Sequence, residues 1–171
     1  MTYRRKATMT PKSPPDITVF DIADWFLAQA TEENKPPRHM KLQKLVYFAY
    51  GWYYAYFDQP LFSETIYAWR YGPVVKALYD GYKHFKGNPI VSEITIVRPK
   101  LDNEVARILR YVWELYAACT DMQLSEITHR LNAPWHQTYK RDEWIPYEEI
   151  APELIRDYFK SIKIKNAESL R

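Results

Sequence analysis

The chain is poor in cysteine, glycine and net charge, and each shortage removes a class of protein. Cys119 is the single cysteine, so no internal disulfide can form, and a reducing cytoplasm is the simplest home. Four glycines in 171 residues are too few for an all-β fold built on tight turns. The net charge is only +3. Much of that excess lies in Arg4, Arg5, Lys6 and Lys12 at one end and Lys160, Lys163, Lys165 and Arg171 at the other. The body between is close to neutral or slightly acidic, without the basic face that grips a nucleic-acid backbone, so a nucleic-acid partner is not expected. No apolar signal region opens the chain. The most apolar stretch, residues 45–57, is Tyr-rich and short of the roughly 20 residues that span a bilayer. It reads as a buried core helix.

Catalytic signatures are missing too. No P-loop, GxGxxG turn, nucleophile elbow or HExxH motif occurs, and His39, His84, His129 and His136 fall at no zinc-binding spacing. The expectation is therefore no metal, no cofactor and no catalytic residue. An unrecognised enzyme stays open only as a site assembled in space, which a polar pocket with strongly shifted titratable groups would reveal.

What the chain has instead is aromatics: 15 Tyr, 7 Phe and 6 Trp, 16% of all residues. Such side chains combine large apolar area with a polar tip and suit both cores and protein-binding surfaces. Residues 1–15, basic and Pro-rich, read as a flexible leader, 16–162 as one helical domain, and 163–171 as a tail. Thr18 and Asp21 form a capping-box pair, after which Val19, Ile22, Ala23, Phe26, Leu27 and Ala30 recur at helical spacing. Pro36 and Pro37 end that helix. The next, about 40–57, carries Leu42, Leu45, Ala49, Trp52 and Tyr56 on one stripe and Tyr47, Tyr50, Tyr54 and Phe57 on another, about 140° away. Two readings fit: the central helix of a bundle, or a helix whose Tyr stripe is partly exposed to a partner.

Residues 61–70 mix β-formers without helical phasing. Gly72-Pro73 is expected to open a helix, and residues 90–97 to form a short strand pairing with 64–69. Asp102 or Asn103 caps a long helix with Val105, Ile108, Val112, Leu115 and Cys119 inward. A short helix at 125–131, another from Pro134 to about 140, and a last one around Leu154, Ile155, Tyr158, Phe159 and Ile162 complete the pattern. The fold class is mainly α, about six or seven helices in a compact single domain, with at most a short two-stranded β element.

Two clusters stand out as candidate sites. Trp69, Arg70, Tyr71 and Pro73, with Lys76 just beyond, combine the residue types that dominate binding hot spots with a Gly-Pro turn. His129 and Trp135 form the second, and Tyr47 and Tyr50 belong to the Tyr stripe. Either cluster also fits a plainer role, its tryptophans serving as lids on the core.

Several short motifs occur in a recognisable order: Lys41-Leu42-Gln43-Lys44-Leu45-Val46-Tyr47-Phe48-Ala49, Pro60-Leu61-Phe62 with Glu64, Ala68-Trp69 with Gly72-Pro73-Val74, Leu124-Ser125, Thr128-His129 and Pro134-Trp135. Together, over roughly residues 19–160, they resemble the Panacea domain of SocA-like and GepA-like phage-associated antitoxins. The resemblance implies a bacterial or prophage antitoxin whose partner is a cognate protein toxin, neutralised by direct contact. It implies no catalytic residues. It also leaves open a proteolytic adaptor that delivers the toxin to a Clp-type protease, self-association, and regulation of transcription, for which some relatives carry an added DNA-binding domain.

Overall fold

The computed structural model of the chain describes residues 16–91, 96–139, 145 and 147–168. Its elements run α1 (Val19–Glu32), α2 (His39–Phe57), β1 (Ile66–Trp69), β2 (Gly72–Val75), α3 (Lys76–Tyr82), a 3-10 turn (Lys83–Phe85), α4 (Asn103–Tyr116), α5 (Asp121–Thr128), α6 (Pro134–Thr138) and α7 (Pro152–Glu168). The expected basic leader, 1–15, lies outside the described residues. The final helix continues to Glu168, beyond the boundary expected at 162.

Helix α2 is the axis of the molecule. Every residue from Leu42 to Ala55 is buried, because α7, α4, β2, α1, α5 and α3 pack around it. An apolar and aromatic helix needs such cover on all sides. Of the two readings of its Tyr stripe, the central-helix one holds: Tyr47 and Tyr50 are 2% and 4% exposed and do not form part of a surface. Burial holds the Tyr47 hydroxyl well above its ordinary range. Helices α2 and α7 approach closely at Gly51, which faces the ring of Phe159.

The caps are where the local pattern places them. Thr18 and Asp21 form the capping box of α1, and Asp102 accepts from Glu104 and Val105 at the start of α4. Glu64 reaches across to accept the Val19 N–H at 3.0 Å, meeting another unpaired donor of the α1 first turn. Helix α5 begins earlier than expected, because Thr120 and Gln123 make a second capping box.

Three expectations are corrected. Gly72-Pro73 lies in β2 rather than at a helix start; Gly72 takes φ +110°, and the register pairs Ala68 with Pro73 and Ile66 with Val75. The described residues of the 90–97 stretch do not pair with 64–69, and both edges of β1 are taken by other segments. One edge holds β2, and on the other Ala68 donates to the Glu148 carbonyl while Ile150 donates to that of Ile66, each at 2.8 Å. Ile90 instead donates to the Pro37 carbonyl, and 92–95 lie outside the described residues. Finally, α4 buries Leu109 and Trp113 with Val105, Ile108 and Val112. Leu115 is 45% exposed, whereas Cys119, just beyond the helix end, is half-buried against the core as expected. The true stripe steps from 105 through 108, 109 and 112 to 113, which rotates Leu115 outward.

Candidate docking site at the β1–β2 turn

The turn joining β1 to β2 is held by side chains far away in sequence. Trp135 on α6 donates its indole N–H to the Trp69 carbonyl at 2.6 Å. Ser125 on α5 donates to the Tyr71 carbonyl at 3.1 Å. Lys44 on α2 donates to the Pro73 carbonyl at 3.1 Å. Gly72 is required between them: its positive φ disfavours any side chain. A Cβ there would also lie 2.8 Å from Lys44 Cε and Thr128 Oγ1.

Trp135 is itself clamped, stacked on His129 at 3.6 Å and on Tyr139 at 4.7 Å between ring centroids. Trp135 is buried and His129 half-buried, so this pair supports the turn from behind. Trp69 is half-buried and meets Tyr79 edge to face at 4.9 Å. What reaches solvent is Arg70 and Tyr71, the latter 60% exposed, with the Arg70 guanidinium 5.4 Å from the Tyr71 ring centroid. The structure thus brings Trp69, Arg70, Tyr71 and Lys76 to one place and sets His129 and Trp135 one layer beneath. Pro73 is buried in β2, and Tyr47 and Tyr50 are apart in the core.

Beside the turn opens a cleft of about 600 Å³, with Trp69, Val74, Tyr79 and Tyr147 among its walls and His39, Gln43 and Lys44 at its base. These three polar residues were not singled out from sequence. Gln43 and Lys44 fall in the Lys41–Ala49 motif, and all three sit where polar side chains on a helix buried all round need internal partners. Gln43 imitates a neighbouring strand: its carbonyl oxygen accepts the Val75 N–H at 3.0 Å and its amide donates to the Val75 carbonyl at 3.1 Å. That fixes which end of the amide is which. The remaining amide proton then points at His39 Nε2, 3.2 Å away, so Nε2 must be the bare acceptor and His39 is neutral.

Burial, and secondarily the Lys44 ammonium, lowers the His39 pKa from 6.5 to about 4. Between those values the unfolded chain binds a proton that the folded chain refuses, so stability falls as pH drops through that window. The loss attributed to His39 is about 2 kcal/mol, solvent at the cleft mouth screening the remainder. Denaturant titrations of His39→Phe and the parent at both ends of the window test this; the variant is expected to lose that much less. An equal loss in both proteins refutes the assignment.

Burial likewise pushes Lys44 down to about 7. Two shifted groups at the base of a cleft meet one criterion for an active site. Both groups are tied, through Gln43 or directly, to the backbone of β2, and neither hydrogen-bonds a carboxylate, hydroxyl or thiol among the described residues. No group of three or more His, Cys, Asp or Glu able to hold a metal occurs among the described residues, and no described helix is long and apolar enough to cross a membrane.

Fold and site together define a small, mainly helical domain that presents a pinned aromatic turn beside a cleft. The family model for the antitoxin SocA-like Panacea domain matches residues 42–136, from the buried start of α2 through Trp135 and His136. The chain belongs to that family. It is 26% identical to antitoxin SocA of Caulobacter vibrioides over 134 residues, 72% of this chain and 71% of that protein. No solved structure matches the chain.

Proposed function

We propose that this chain is the antitoxin of a toxin–antitoxin pair and neutralises its cognate protein toxin by direct contact at the β1–β2 turn. The observation that carries the reading is the preorganised turn. Three side chains from α2, α5 and α6 hold its carbonyls, so Arg70 and Tyr71 meet a partner without the ordering cost that a loose loop incurs. Tyr and Arg are also the residue types from which binding hot spots are built.

The test is growth of cells co-expressing each neighbouring gene with the parent chain or Tyr71→Ala. Truncating an exposed ring leaves the fold intact by circular dichroism. It is expected to abolish rescue through a loss of about 2 kcal/mol in toxin affinity. Normal rescue by Tyr71→Ala rules the surface out. Trp69→Ala is a poorer probe, since that indole packs on Tyr79 and its loss disturbs the turn itself. Toxin half-life in the same cells separates the two modes of action: masking preserves the toxin, whereas delivery to a Clp-type protease shortens its life.

A further inference from the structure

The cleft beside the turn is both aromatic and cationic, and among the described residues its charge is unbalanced. Arg70, Lys76 and Lys86 line its mouth and Lys44 its base, against Asp80 as the one acid among the described lining residues. Asp80 is already engaged, by Lys76 four residues earlier and by Lys83 at 3.0 Å. No carboxylate pairs with Lys44, Arg70 or Lys86 among the described residues. Lys44 is the extreme case: it is 1% exposed, with the Pro73 carbonyl as its described acceptor and three donor hydrogens to satisfy. A buried ammonium without a counter-ion is among the costlier arrangements in a folded chain.

We infer that this cleft receives an acidic segment of the toxin polypeptide, its carboxylates meeting Arg70 and Lys86 and an adjacent apolar side chain resting on Trp69, Val74 and Tyr79. The inference rests on the antitoxin reading and adds the chemistry of the partner to it. Charge complementarity selects the acid, and the aromatic walls select an apolar neighbour. A nucleic acid fits less well. It needs an extended cationic track along a strand, whereas these cations ring a concavity of about 600 Å³, the size of a few side chains.

The test uses the intact chain and the neighbouring gene product that it neutralises. An array of overlapping short peptides from that product is probed with the parent, with Arg70→Glu/Lys86→Glu, and with Arg107→Glu as an exposed control on α4. Neither Arg70 nor Lys86 makes a described ion pair, so the double variant is expected to keep its circular dichroism spectrum and melting temperature. The strongest parental signals are expected on peptides pairing Asp or Glu with an apolar residue. Solution affinity for such a peptide should fall at least about tenfold in the double variant and weaken with added salt, while the control binds as the parent does.

Strong binding of basic or uncharged peptides, or full binding by the double variant, overturns the inference while leaving the antitoxin reading intact. Displacement of the bound peptide by oligouridylate would identify a nucleic-acid site and overturn it as well. If the parent neutralises no neighbouring product, the reading and the inference fall together.

Discussion

Replacing Lys44 by methionine is expected to raise the stability of the folded chain at neutral pH and to flatten its pH dependence on the alkaline side. Methionine keeps the length of the lysine stem and fills the same channel between α2 and β2. What it removes is an amine whose pKa burial lowers from 10.5 to about 7. The folded value lies below the unfolded one, so between them the unfolded chain holds a proton that the folded chain has lost. Stability of the parent therefore rises as pH increases through that window and is lowest below it. The shift corresponds to about 5 kcal/mol, from which the Pro73 carbonyl left without its donor removes about 1–3 kcal/mol. A net gain of about 2 kcal/mol is expected at pH 7, shrinking as pH approaches the unfolded value. Denaturant unfolding of both proteins across this range measures it. Parallel pH profiles for parent and variant would show that Lys44 is not desolvated as the geometry requires. A loss of toxin affinity in the same variant would mark the lysine as a binding group whose burial destabilises the free protein, the usual opposition of stability and function at a site.

Gly51→Ala is expected to act in the opposite direction. The added methyl would lie 2.3–2.6 Å from three atoms of the Phe159 ring, where α2 and α7 make the most extensive helix contact of the fold. The ring has nowhere to retreat, because Tyr47, Phe48 and Trp52 surround it at centroid distances of 5.3–6.3 Å. Overpacking of this kind costs about 3 kcal/mol, and the better helix propensity of alanine returns about 1 kcal/mol. The net loss of about 2 kcal/mol lowers the melting temperature by roughly 4–8 °C in a chain of this size. Adding Phe159→Leu should recover part of the loss by making room. A Gly51→Ala protein that melts at or above the parent would refute the close crossing.

Helices and their starts were largely legible in the sequence, since a cap and its first turn interact within three residues. Thr18 with Asp21 and Asp102 with Val105 needed no knowledge of the rest of the chain. The role of α2 was legible for a related reason: a helix apolar on opposite sides has nowhere to be but the centre. The stripe of α4 differs at Leu115, because a face centred on 105, 108, 109, 112 and 113 turns position 115 outward. Strand β2 was missed because Gly-Pro reads as a helix opening unless one knows that Gln43 offers Val75 a strand-like pair of hydrogen bonds.

The candidate site divides along the same line. Composition alone marked Trp69, Arg70 and Tyr71, and the order of short motifs alone marked the family. Which of those rings faces outward was settled only by contacts between distant segments: Trp135 with Trp69, 66 residues apart, and Lys44 with Pro73, 29 apart. Periodicity and capping act over a turn of helix and can be read from neighbours in the chain. Exposure, burial of a charge and the pinning of a turn depend on what the rest of the chain brings alongside, and only the folded molecule decides them.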